Sequence, residues 1–385
     1  MRRWIGRIGI GLAVLALATG AAALWKREEI GRLLAVRNLF APDRIVANFS
    51  AMDRLFLNVA LTEGPGRRLP DGPPMTLPDG VDDWIAARAV TGLVVLDDGA
   101  VVHESYHLGT GAEDLRISWS VAKSALSLLT GILVDEGAIA LDDPVTRHAP
   151  VLVGSAYDGA TLEDVLQMES GVLFDEDYGD PDSDINRMGR VLALGGALDD
   201  FTADLSESWT TPGEAMRYVS MDTHVIGMVL RGATGRDIAG LMAEKLAEPL
   251  GLGRAYYLRD AEGAAFVLGG LNMATRDYAK IGALVADDGR LGSRQIVPRD
   301  WIDAATTPSA ATEAGRLQYG YQWWMPKDAR PGEAMAIGVY GQFLYIDRRR
   351  GVVIAVNAAD RDFRAQGIVA GNVDVFRKIA AATDP

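Results

Sequence analysis

Cysteine is absent from this chain of 385 residues. That excludes disulfides, thiolate metal centres and a cysteine nucleophile. Positive charge is in short supply: 38 lysines and arginines face 52 acids, a net charge of −14. A surface of that sign repels phosphate backbones, so nucleic acid is not the expected partner. No Gly-x-Ser-x-Gly occurs anywhere, which removes the strained elbow of an α/β-hydrolase. Internal repeats and low-complexity tracts are also missing.

Histidines number four: His103, His107, His148 and His224. Two of them spell His103-Glu104-Ser105-Tyr106-His107, the letters of a zinc-protease motif. That motif needs a helix to bring both rings to one ion. Here it follows an Asp98-Gly99 turn and reads as a strand, along which the rings stand roughly 13 Å apart. His224 reads as an ordinary helix residue. The acids of residues 174–186 lack the spacing and closing glutamate of a calcium loop, and read as a solvated loop. No metal or cofactor is expected.

What is present centres on Ser118-Trp119-Ser120-Val121-Ala122-Lys123-Ser124. Ahead of it, Leu93–Leu96 and Val101–Tyr106 flank Asp98-Gly99, a strong hairpin signal. Behind it, Ala125–Val134 is an apolar helix. Ser120 then lies at a helix start, among free N–H groups, with Lys123 one turn on along the same face. A serine nucleophile needs a base within reach, and a lysine serves if it is neutral. Burial on an apolar helix lowers the amine's pKa in the required direction. Against this stands the plainer reading of Ser120 as a helix cap.

The 49% apolar content suffices for a large core. Arg2, Arg3 and Arg7 precede an apolar run of 18 residues, Ile8 to Trp25. This marks residues 1–25 as a signal peptide or membrane anchor, with the body exported to a periplasmic or other extracytoplasmic site. Residues 26–80 read as a helical, then irregular, lead-in punctuated by Gly64-Pro65-Gly66 and Pro73-Pro74. The catalytic domain is expected over 81–385. Within it, Thr161–Met168 is a short helix capped by Thr161. Further helices are expected at Asp222–Ala233, 237–250, Thr275–Asp287 and Val373–Ala381. Strands are expected from Ala336 to Asp347 and from Val352 to Asn357. Strands near both ends with helices between them point to one antiparallel sheet completed by distant segments, flanked by helices, with a mainly helical subdomain inserted.

Several stretches in order carry a resemblance: the Ser120–Lys123 run, Asp142-Asp143-Pro144-Val145, Leu166–Val172, Tyr218-Val219-Ser220, Leu268–Met273, Tyr319–Trp324 and Gly338–Gln342. Together they resemble the serine hydrolases of the β-lactamase and penicillin-binding superfamily. The likeness is greatest to the class C-like branch of carboxylesterases and 6-aminohexanoate-dimer hydrolases, over roughly residues 85–380. The resemblance implies an α+β, β-lactamase-like fold and three motifs. Ser120 and Lys123 match the nucleophile pair. Tyr218-Val219-Ser220 matches the Tyr-x-Ser element, whose phenol beside an ammonium can have a lowered pKa and shuttle a proton, so that either Lys123 or Tyr218, as phenolate, is the base. Ala336-Ile337-Gly338 matches the third motif with its glycine kept and its cation missing. Gly338 lets the strand approach, and the N–H groups of Ser120 and Val339 form an oxyanion hole.

The implied activity is hydrolysis of a small ester or amide through an acyl-serine. The missing cation speaks against binding a substrate carboxylate, as penicillins require. Tyr340 and Trp324, then Tyr178, Tyr319, Tyr321 and Trp323, are candidates to line the acyl pocket. Two other readings stay open: a penicillin-binding or β-lactamase-type protein acylated by β-lactams or D-amino-acid peptides, and a silent binding protein held at the membrane. Nothing in the pattern speaks to oligomeric state.

Overall fold

A computed structural model of the chain describes residue 19 and residues 24–383, apart from 314 and 316. The apolar run expected to be a signal or anchor lies almost wholly outside the described residues. Among those that are described, no helix is long and apolar enough to cross a membrane.

The fold is built on a seven-stranded antiparallel sheet. Its order is Ala100–Tyr106, Val90–Asp97, Val352–Ala358, Gln342–Asp347, Glu333–Gly338, Trp324–Met325 and Gln318–Tyr319. The N-terminal hairpin thus joins the C-terminal strands directly, Val94 facing Ala355 in register. Asp98 and Gly99 both adopt positive φ, 44° and 77°, the two-residue turn that matches strand twist.

Both faces of this sheet are buried, and strand alternation sorts the side chains between them. Leu93, Val95, Phe343, Tyr345 and Ile354 face one way, into a core closed by the helices Val81–Ala87 and Ile368–Ala381. Val94, Leu96, Leu344, Ile346 and Val353 face the other way, into the main core. There Thr275–Ala286 lies so close to the sheet that a Cβ on Gly282 would stand 2.4 Å from the Val353 side chain. The helix Val121–Asp135 runs through this core, buried from Val121 to Leu133.

Three differences from the sequence reading matter. First, Ala336 to Asp347 is not one strand. It breaks into a hairpin, Gly338 facing Gln342, because Tyr340 and Gly341 take φ of 61° and 82°. Second, a separate four-stranded sheet forms from Asn58–Thr62, Ala255–Leu258, Leu271–Met273 and Arg116–Ile117. Third, the lead-in is helical and then irregular, with no helix or strand from 63 to 80 as expected, but its earlier part adds a strand and packs into the main core. It carries helices at Arg27–Asn38, Ile45–Phe49 and Met52–Leu55, and Leu39, Ile45, Phe49, Met52 and Leu61 belong to the main core. The buried Arg116 guanidinium fastens it, donating to the Val46 carbonyl at 2.7 Å and the Ser50 hydroxyl at 2.6 Å. Leaving such a buried donor unmet costs about 1–3 kcal/mol.

Candidate active site

Ser120 is the N-cap of the buried helix Val121–Asp135. Its position is fixed from both sides. Ile117 pairs with Asn272, and the Ser118 N–H donates to the Leu271 carbonyl at 2.8 Å. Trp119 then takes a left-handed turn, φ 45°, which brings Ser120 to the helix start. One turn on, Lys123 is 2% exposed. Its Nζ donates to the Leu268 carbonyl at 2.7 Å. Burial pushes this amine down to about 7, against the pull of Glu176 and Asp222 in the other direction.

Tyr218 arrives from the loop ahead of the helix Ser220–Thr234. Its phenol lies beside the hydroxyls of Ser120 and Ser220, whose proximity works to lower its pKa, and it shares a cavity with Ser120. The Lys123 Nζ sits 5.6 Å from the centre of its ring. Trp324 stacks on the same ring, 5.6 Å between centroids. A hydroxyl and an amine from one helix turn therefore come together with a phenol from a distant loop. The phenol differs from expectation in one respect: its pKa is raised, by burial first and by the Glu176 carboxylate second. Burial is not visible in a motif, and it outweighs the Ser120 and Ser220 hydroxyls that work to lower the pKa here. The raised pKa favours the protonated phenol over the phenolate.

The strand Glu333–Gly338 closes the site. A Cβ on Gly338 would lie 2.5 Å from the Ser118 carbonyl oxygen and 3.2 Å from the Ser120 nitrogen, so only glycine lets this strand lie against the Ser118–Ser120 turn. Val339 follows at once. Ser120, Val339 and Tyr178 line two cavities that meet at Ser120. Tyr340 lines the first; Gly338, Tyr218 and Trp324 line the second. Tyr319 and Trp323 are fully buried instead, and Tyr321 turns away to hydrogen-bond with Glu163 and pack on Trp301.

Glu176 is a site residue that the sequence reading missed. It belongs to the acidic stretch taken as a solvated loop, yet its carboxylate accepts from the Ser220 N–H at 2.5 Å and from the Tyr178 hydroxyl at 3.4 Å. Burial raises its pKa and Lys123 lowers it. A signal was present: Val172, Phe174, Glu176 and Tyr178 alternate inward while Leu173, Asp175, Asp177 and Gly179 are exposed. Asp222, fully buried in the first turn of the helix Ser220–Thr234, accepts from Tyr157 at 2.9 Å and Ser170 at 2.8 Å. Burial raises its carboxyl to about 8.

The histidines lie elsewhere. His224 is buried against Asp199, 2.8 Å away. His103 and His107 both contact the Ser105 hydroxyl, each at 3.0 Å. Their rings are thus closer than extended spacing predicts. All three residues share one strand face, and the two imidazoles lean inward on the hydroxyl between them.

Residues 81–369 match the β-lactamase family. The chain belongs to that family. It is 31% identical over 303 residues to a 6-aminohexanoate-dimer hydrolase of Paenarthrobacter ureafaciens, covering 74% of each chain. Among solved structures of the β-lactamase fold, it is similar to a candidate 6-aminohexanoate-dimer hydrolase from Bacillus anthracis. That match has a TM-score of 0.79 and 21% identity, covering 90% of this chain and 96% of the other. A family VIII carboxylesterase matches with a TM-score of 0.61 and 17% identity, covering 81% and 99%. As a β-lactamase-family member, the protein is a hydrolase with a mixed α and β fold, as its motifs imply.

Proposed function

We propose that the protein hydrolyses esters or amides through an acyl-serine intermediate, with Ser120 as nucleophile. Lys123, neutral near pH 7, takes the Ser120 proton while the oxygen attacks the substrate carbonyl. The N–H groups of Ser120 and Val339 hold the oxyanion, a contribution of about 3 kcal/mol for each donor. Tyr218 gives its proton to the leaving alcohol or amine as the carbon–heteroatom bond breaks, and is reprotonated through Lys123. Water then attacks the acyl-enzyme by the same route and frees the acid and the Ser120 hydroxyl.

The observation that carries this reading is the convergence of Ser120 and Tyr218 on one cavity, with the buried Lys123 amine 5.6 Å from the Tyr218 ring centre. The relatives' names, a dimer amide hydrolase and a carboxylesterase, fit both bond types. The third-motif strand carries no cation at Ala336 or Ile337, which disfavours a substrate carboxylate and hence β-lactams. A fluorophosphonate probe tests the assignment: wild-type protein is labelled at Ser120 and Ser120→Ala is not. Equal labelling of both would refute it. The arginine-led apolar run before residue 26 supports an extracytoplasmic place of action. Recovery of the full chain in the soluble cytoplasmic fraction would oppose that.

A further inference from the structure

The two cavities at Ser120 differ in character. The first, about 140 Å³, lies on the Trp119 and Tyr340 side. Part of its wall is Val36, Leu39, Phe40, Met52 and Phe56 from the lead-in; Ile185, Met188 and Leu192 of the helix Asp184–Leu194 add another part. No carboxylate lines it among the described residues. Its one cation, Arg259, is spent on the Asn58 and Asp260 carbonyls at 3.2 and 3.0 Å. The lead-in is held over the site by aromatic contact. Phe40 stacks on Tyr340 at 4.6 Å, and Phe49 meets Trp119 edge-on at 5.6 Å. The family match begins at residue 81, so the lead-in's share of this wall comes from chain ahead of the matched domain.

The second cavity, about 230 Å³, includes Tyr218 and Trp324. A group that leaves by taking a proton from Tyr218 departs on that side. The acyl part must then occupy the first cavity.

We propose, resting on the acyl-serine reading above, that the substrate is an ester or amide whose acyl part is an uncharged apolar chain. The chain lies between the lead-in and the helix Asp184–Leu194. Each methylene that enters such a cavity raises kcat/KM about fourfold. A terminal ammonium entering it gains no partner and loses its water.

The test uses p-nitrophenyl esters with the full chain. The octanoate is expected to exceed the acetate in kcat/KM by about thirtyfold or more, and the hexanoate to exceed the 6-aminohexanoate by about tenfold. Gly189 lines the same cavity inside a helix, with open space where a side chain would project. Gly189→Phe fills it, and the octanoate-to-acetate ratio is expected to fall to near one. Fluorophosphonate labelling of Ser120 reports whether each protein is folded and competent. Labelled wild type with a flat chain-length series, or with equal rates on the hexanoate and its amino analogue, overturns this proposal and leaves the acyl-serine reading standing. A labelled Gly189→Phe with an unchanged ratio overturns it also. Wild type with no label at Ser120 removes both.

Discussion

The Glu176 carboxylate accepts the Ser220 backbone N–H at 2.5 Å, joining an acid-rich surface stretch to the helix that follows Tyr218. Its charge acts on both proton carriers: it pulls the Lys123 pKa up and repels the phenolate form of Tyr218.

The pH profile follows from that placement. Lys123 must be neutral to accept a proton, and its pKa is about 7. kcat/KM should therefore fall about tenfold per pH unit below that value. Glu176→Gln keeps an oxygen for the Ser220 N–H but removes the negative charge. Without it Lys123 loses its proton more readily, so the acid limb moves to lower pH. A limb that stays or moves to higher pH would count against Lys123 as the base.

Tyr218→Phe keeps the ring on Trp324 and deletes the proton donor. kcat should fall by about 10²–10⁴-fold. The loss should be smaller for p-nitrophenyl esters, whose leaving group needs little protonation, than for anilides. An equal loss on both would assign Tyr218 a packing role instead.

How much of this was legible in the chain divides along physical lines. Ser120 and Lys123 are three residues apart on one helix, so local geometry reveals them. Tyr218 and Gly338 are distant in sequence and were found through resemblance in motif order. Glu176 was hidden because its neighbours Asp175 and Asp177 are exposed, and composition spoke louder than the inward alternation of Phe174, Glu176 and Tyr178. The turn at Tyr340-Gly341 was read through because apolar residues continue on both sides of it. The direction of the Tyr218 shift depends on burial, which no spacing displays. The lead-in's place over the site arises from packing of Phe40 and Phe49 on Tyr340 and Trp119.

Gly338→Ala should cost activity without unfolding the protein. The added methyl would press on the Ser118 carbonyl at 2.5 Å and push the strand and Val339 off the nucleophile turn. Loss of one oxyanion donor corresponds to about 10²–10³-fold in kcat. A kcat within a few-fold of wild type would remove Val339 from the oxyanion hole.

Asp222→Asn tests the buried carboxylate. Burial raises its pKa from 3.8 to about 8. A raised folded-state value means that the native state holds a proton which the unfolded chain has released. Stability on this account is whole below about pH 4 and is lost progressively as pH rises to about 8. Asparagine still accepts from Tyr157 and Ser170 but cannot ionise. The variant should gain stability over wild type across that window, by a few kcal/mol at its top. Denaturant unfolding at pH 5 and pH 8.5 measures the difference; a gap that does not widen with pH would contradict the assignment.

The most direct measurement is intact-protein mass spectrometry during rapid quench of a p-nitrophenyl ester turnover, with peptide mapping of the adduct. The account requires a transient gain of one acyl group on the peptide holding Ser120, and neither adduct nor turnover in Ser120→Ala. Sustained turnover by that variant, or an adduct confined to another residue, would contradict it.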